Sequence, residues 1–200
     1  RKVYKHDRHG NLLNQENKVV SHDDPDKFAK AVHLKDIHLE KGMHCVDCHF
    51  NVDSHGNGKL YGEVRNAIEI QCIDCHGTVS APAKLRTSGP AAPVAKDGTV
   101  GTNLEALRTP SGQRRFERRG GEIIQRSMVE AGVEWPVPQV VDVITPGHPR
   151  YSERATLAKT MQKNGTTWGT RPTCADDESN LAHQNSQMSC IACHSSFNAS

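Results

Sequence analysis

Two hundred residues suffice for a sizeable core, yet only 35% are hydrophobic and 4% aromatic, which is thin for a fold packed by its own side chains alone. The formal net charge of +2, with lysines and arginines interspersed among acids, gives no electrostatic case for nucleic acid or an anionic membrane. No stretch approaches the length of a transmembrane helix, and Arg1-Lys2-Val3-Tyr4 opens the sequence without the apolar region of a signal peptide.

In chain order, residues 3–20 read as a β-hairpin turning at Gly10-Asn11. Asp23 or Asp24 then starts a helix, with Pro25 in its first turn and Gly42 as its stop. Phe28, Ala31, Val32 and Lys35 share one side, and the helix carries His33 and His38. The run Asp53-Ser54-His55-Gly56-Asn57-Gly58 is turn-forming. Ala81 to Gly101, rich in Pro, Ala, Gly and Ser, reads as an extended wrap or linker. Three strands follow within residues 114–144: Arg115-Phe116-Glu117, Ile123 to Val129, and Val137 to Ile144. Gly120-Gly121 and Ala131-Gly132 are the turns of this small antiparallel sheet. Thr145 to Pro149 is a loop, and Glu153 to Lys163 a short helix ending near Gly165.

Three times the chain writes Cys-x-x-Cys-His: Cys45, Cys48 and His49; Cys72, Cys75 and His76; Cys190, Cys193 and His194. A chain with these Cys and His frequencies would contain about 0.01 such motifs by chance. The pattern is the attachment site of c-type haem: two thiols form thioethers to the haem vinyl groups, and the adjacent histidine ligates the iron. The competing readings are a four-thiolate zinc site from Cys45, Cys48, Cys72 and Cys75, or a disulfide framework. Neither explains the histidine after every second cysteine, and the third motif would lack a partner pair. Three covalent haem c groups are therefore the expected cofactors, each with a large apolar face for the chain to pack against.

The expected fold class is a mostly irregular multihaem cytochrome with short α-helices and a small antiparallel β insert, its core built around covalent haems. The expected domains are 1–77 (hairpin, helix and dihaem module), 78–182 (haem-free linker and β-rich insert) and 183–200 (start of a further haem module). The short connection from His49 to Cys72 implies that haems one and two are neighbours. The end at Ser200, just after the third motif, suggests a segment of a longer multihaem chain.

Twelve histidines are present, three of them proximal, so nine remain as sources of sixth ligands. An internal repeat selects the first two: His38 precedes Cys45 by the same spacing as His183 precedes Cys190, with Met43 and Met188 two residues before the cysteine and Asn51 and Asn198 recurring nearby. His55, just beyond His49, is the third candidate distal ligand; His33, His148 and His22 are weaker ones. His44, His6 and His9 read as solvent-exposed. Met43 and Met188 read as packing on a haem edge. Cys174 is left over, either a buried free thiol or the partner of a cysteine elsewhere.

The run Gly42 to His49 with His55 downstream, and the tail Met188 to Ser196, resemble the haem-binding segments of large bacterial multihaem c-type cytochromes; the strand-rich region from Arg114 to Leu157 resembles their inserts more weakly. The resemblance covers residues 33–77 and 183–200. It implies bis-histidine haems arranged for electron transfer between a respiratory pathway and an external partner, with His49, His76 and His194 proximal. The long haem-free middle departs from the family's dense spacing.

Electron transfer is the leading expectation, because closely spaced low-spin haems need no substrate pocket. The enzymatic alternative is a catalytic oxidoreductase of small nitrogen or sulfur compounds with one open haem, beside which His148 and Arg150 would move protons. The third is a segment of an extracellular electron-conducting assembly, in which strand edges form the contact and the chain is an oligomer. Expected partners are redox proteins or further haem segments. Covalent attachment places the mature protein in the periplasm or outside the cell.

Overall fold

The computed structural model describes residues 3–31, 33–34, 38, 41–166 and 178–188. Cys174, Cys190, Cys193, His194 and Asn198 lie outside the described residues, and with them the third motif. The described residues form two compact units, one up to residue 43 and one from residue 44 to residue 188. Motifs one and two belong to the same unit as the β-rich segment.

In the first unit the expected turn at Gly10-Asn11 is present, but the pairing is limited to isolated antiparallel bridges, His6 with Leu12 and, across a second turn, Leu13 with Val19. Asp7 Oδ1 accepts from His9 N and Asn11 N, and Asn14 Oδ1 accepts from Glu16 N and Lys18 N. Each side chain thus closes its own turn, alongside backbone bonds such as Leu13 N to Lys5 O and Val20 N to Leu12 O. Strand β1 (Val3–Tyr4) pairs instead, antiparallel, with β2 (His33–Leu34). The expected long helix is interrupted: α1 (Lys27–Lys30), none of whose residues is buried, ends before strand residues 33–34, His38 is helical, and residues 32, 35–37, 39 and 40 lie outside the described residues. Phe28 remains 55% exposed, so the segment has no apolar face to bury, and a short helix without tertiary packing does not propagate. His33 is consequently a strand residue.

The second unit begins with three short helices, α2 (Cys45–Cys48), α3 (Asn51–His55) and α4 (Cys72–His76). The sheet follows, in the order β3 (Phe116–Arg119), β4 (Glu122–Arg126), β5 (Glu134–Val137), all antiparallel. Gly120 and Gly121 both take positive φ (61° and 85°), as a tight two-residue hairpin turn requires. The third strand is displaced from its expected position. Pro136 has no N–H to give a ladder and is accommodated because β5 is an edge strand. The apolar run beyond Pro138 is a helix, α5 (Val140–Val143). Val140 and Ile144, one helical turn apart, enter a cluster with Val79 and Leu181. A short apolar run does not distinguish strand from helix; the prolines decide it here. The last helix, α6 (Glu153–Thr160), is capped by Ser152, whose side chain accepts from Ala155 N.

Residues 81–101 do wrap the unit, and they are packed rather than loose: Ala83, Leu85, Thr87 and Ala91 are all buried. A Cβ on Gly89 would lie 2.4 Å from the Ile68 carbonyl oxygen, so only glycine allows this wrap to reach the segment leading into α4.

Candidate haem sites

Both motifs fold the same way. The first cysteine opens a helix of a single turn, and the second follows at i+3 on the same face. The histidine comes at the helix end or one residue beyond it. The residue between the thiols makes the turn rigid. Asp47 Oδ2 accepts from His44 N at 2.8 Å, and Asp74 Oδ2 accepts from Gln71 N at 2.7 Å, so each carboxylate satisfies a donor at the start of its helix. Asp47 is 1% and Asp74 3% exposed, so these are internal fastenings and not surface caps. Burial pushes the Asp74 carboxyl above the usual carboxylate range, against the hydrogen bonds from Ser88 and Gln71 that hold it down.

The β-rich segment holds motif one. Asp47 Oδ1 accepts from Met128 N at 2.8 Å, the Asp47 carbonyl accepts from Gln125 Nε2 at 2.8 Å, and Arg115 donates to the Val46 carbonyl. Trp135 Nε1 donates to Gln125 Oε1 at 3.3 Å, which fixes the amide's orientation. Arg115 is 4% exposed, with its guanidinium carbon 4.6 Å from the Phe50 ring centroid. Its Nε is buried without an acceptor. Desolvation lowers the Arg115 pKa from its ordinary value, opposed by the nearby Asp47 and by the Cys48 and Cys75 thiols.

Motif two is held by loops. Asp74 accepts from Ser88 N (2.9 Å) and Ser88 Oγ (2.6 Å). Gln139 donates to the carbonyls of Cys75 and Val137, both at 2.9 Å, while its Oε1 accepts from Ala83 N at 2.8 Å. Gly77, with φ 66°, turns the chain directly after His76, where a Cβ would meet the Ala81 oxygen at 2.4 Å. The Cys75 thiol is pushed well above the ordinary thiol range, chiefly by burial and next by the neighbouring Cys48.

The two proximal histidines are held through the same nitrogen by different acceptors. His76 Nδ1 is 2.7 Å from the Pro138 carbonyl oxygen, and His49 Nδ1 is 3.2 Å from Asp53 Oδ2. An imidazole whose Nδ1 donates in this way carries its lone pair on Nε2, the arrangement that outer support of a ligating histidine would require. The Asp53 side chain is only 6% exposed and also accepts from Glu69 N at 2.8 Å.

The candidate distal ligands are scattered. His183 is exposed, yet its Nδ1 lies 3.0 Å from the Ala158 carbonyl, and Asn185 two residues on donates to the Gly77 carbonyl at 3.0 Å. The second half of the repeat is therefore seated beside the end of motif two. His38 belongs to the first unit, where its carbonyl accepts from Lys41 N and Met43 N. His55 is an exposed residue at the end of α3, and His22 is exposed beside Asp23. His148 is half-buried: Nδ1 accepts from Arg150 N at 3.1 Å and Nε2 lies 3.9 Å from Asp142. Arg150 pairs with Glu122, its Nε at 2.7 Å. His6 and His9 are exposed as expected, whereas His44 is half-buried, its Nε2 3.2 Å from Glu130 Oε1. Met43 is 8% exposed, and Met188 Sδ lies 3.4 Å from Lys159 Nζ.

The residues present fit a covalently attached haem at both described motifs. Cys45, Cys48, Cys72 and Cys75 are present as thiols, the groups such attachment requires. The proximal histidines have supported Nδ1 atoms, and Arg115 Nε is a buried donor lacking an acceptor. The two most exposed apolar side chains, Leu60 (103%) and Val64 (81%), lie in the connection between the motifs, where a macrocycle could cover them. Among the described residues no three His, Cys, Asp or Glu side chains gather as a metal-binding group, so the four thiols do not converge as a zinc tetrathiolate requires. Comparison with protein-family models, curated proteins and solved structures finds no match.

Proposed function

We propose that this chain is an electron-transfer protein with c-type haem attached at Cys45/Cys48, Cys72/Cys75 and Cys190/Cys193, and that His49, His76 and His194 are the proximal ligands. Haem c would supply reversible one-electron chemistry at iron. The observation that carries the reading is that His49 and His76 both have Nδ1 bound by a fixed internal acceptor, which orients the ring and raises its basicity as a ligand. Asp47 and Asp74 hold each cysteine pair on one helix face, and the sheet and the 81–101 wrap keep the two pairs in a constant relation. That rigidity is what electron transfer asks of a protein, since spacing and orientation must not change when charge moves.

The second axial ligands on this reading are histidines, with His183 and His38 foremost from the repeat and His55 after them. His183 is held by Ala158 in the manner of the proximal histidines. The catalytic alternative has less support: His148 and Arg150 are engaged with Asp142 and Glu122. Attachment chemistry places the protein in the periplasm or outside the cell, exchanging electrons with redox proteins or further haem segments. No helix among the described residues is long and apolar enough to cross a membrane.

The test is to express the protein with a bacterial haem-attachment system, count bound haem by intact mass, and record the electron paramagnetic resonance spectrum of the oxidised form. Three haems with wholly low-spin signals are expected. A chain without covalent haem overturns the reading, and a large high-spin component moves the catalytic alternative ahead of it.

A further inference from the structure

The two described proximal histidines differ in the charge of what holds them, and the difference has a consequence for the direction of electron flow. His76 Nδ1 meets a neutral backbone carbonyl, Pro138 O, at 2.7 Å. His49 Nδ1 meets a carboxylate, Asp53 Oδ2, at 3.2 Å. Asp53 is itself held in place. It sits one helical turn beyond His49, its side chain is 6% exposed, and Glu69 N donates to its other oxygen at 2.8 Å. The carboxylate is therefore fixed in orientation and shielded from water, where its charge acts with less screening than at the surface.

A carboxylate accepting the Nδ1–H of a ligating imidazole draws the proton toward itself and leaves more electron density on the ring. A more basic ligand stabilises ferric over ferrous iron and lowers the reduction potential. The carbonyl behind His76 does the same more weakly. Other charges act at both sites: Arg115 bears on Cys48 and on Cys75, and a buried carboxylate stands in each motif, Asp47 in the first and Asp74 in the second, with Glu69 near Asp74, so what distinguishes the two histidines directly is the acceptor behind each ring.

We infer that Asp53, acting through His49, makes the first haem site the lower-potential one of this pair, so that an electron entering there passes on to the site at His76. The inference rests on the proposed attachment of haem at both motifs. With haem held at Cys45/Cys48/His49 and Cys72/Cys75/His76, the transfer would be a single electron from the reduced first site to the oxidised second, with no bond made or broken and no proton required. Asp53 is a positioning residue, since it reaches the iron only through His49.

The experiment compares wild-type protein with Asp53→Asn and Asp53→Glu. Haem is first counted by intact mass, then each low-spin signal is followed by electron paramagnetic resonance through a potentiometric titration. Asp53→Asn keeps the shape of the side chain but removes its charge. It is expected to shift one site toward the reduced state by about tenfold in equilibrium constant, an upward move of about 59 mV for a one-electron couple. The g values of that same signal should change, because the donor strength of its ligand has changed. Asp53→Glu should return the potential toward wild type. Full haem loading with no potential moved in Asp53→Asn overturns the inference while leaving the haem reading intact; so does a shift in the higher-potential site. Absence of covalent haem from the wild type is the distinct outcome that removes the reading beneath it.

Discussion

Motif one and motif two have nearly the same sequence and the same turn of helix, but they are anchored by different kinds of structure. Motif one is held from the sheet, by Gln125 on β4 and by Arg115 and Met128, which flank strand ends. Motif two is held from irregular chain, by Ser88 in the wrap and by Gln139 between β5 and α5. The shared element is the buried aspartate before the second cysteine. Local geometry is thus written into the motif, while the surroundings that set charge and solvent access are supplied separately for each. The β-rich middle, which carries no haem motif, is the frame on which both sites are mounted.

The largest effects are expected at the two aspartates. Asp74→Ala leaves Gln71 N, Ser88 N and Ser88 Oγ without their acceptor in a buried place. Hydrogen bonds to a charged group contribute about 1.5–3 kcal/mol each and are not additive, so the expected loss is about 3–5 kcal/mol of unfolding free energy. Urea denaturation of the haem-loaded protein measures it. Asp47→Ala should cost about as much, since it also removes two buried backbone hydrogen bonds. If only one substitution is costly, the two motifs are not held by a common device.

Next in size come the anchors that differ between the sites. Gln139→Ala removes three hydrogen bonds at motif two and strands the buried Ala83 N–H, at an expected cost of about 2–3 kcal/mol. Arg115→Met should cost less, about 1 kcal/mol, although the side chain is longer. Methionine keeps most of the packing over Phe50 and removes a buried charge whose Nε has no acceptor. Denaturation midpoints of the two variants, with haem loading checked by mass, give the order. A larger loss for Arg115→Met would mean that its guanidinium has a strong acceptor once haem is attached.

The sequence made some of this legible and hid the rest for physical reasons. The Cys-x-x-Cys-His spacing is readable because it recurs three times; on the proposed function, two bonds to one porphyrin and a ligand beneath it would demand it. The sheet is readable because strand residues bounded by Gly120-Gly121 admit few other folds. The long helix expected before motif one failed because propensity and an N-cap do not sustain a helix with nothing buried beneath it; α1 stops at Lys30. The strand expected from Val137 to Ile144 failed because a short apolar run has no period of its own. The aspartates were visible all along, as the residue common to Cys45-Val-Asp-Cys48 and Cys72-Ile-Asp-Cys75 and replaced by Ala192 in the third motif. Gln139, by contrast, left no signal: two of its three partners, Cys75 and Ala83, are distant in sequence, and one glutamine among loop residues announces nothing.

The smallest expected effect lies at the far edge of the frame, where β5 is tied to the other strands by charge. Glu134 lies beside Arg119 of β3 and 3.2 Å from Arg126 Nε of β4, an exposed cluster. The Arg119 hydrogen bond holds the Glu134 carboxyl below its ordinary value, with Arg126 adding to it. A depressed carboxylate contributes stability that is present above its unfolded pKa, near 4.5, and is lost as pH falls through the lower folded value. Glu134→Gln should therefore be slightly less stable than wild type at pH 7, with the two converging as the pH is taken below about 4. Added salt should shrink the neutral-pH difference by screening an exposed pair. If instead the difference persists unchanged in acid and in high salt, β5 is held by its backbone ladder and by Trp135 alone, and the charges on this edge are incidental to mounting motif one.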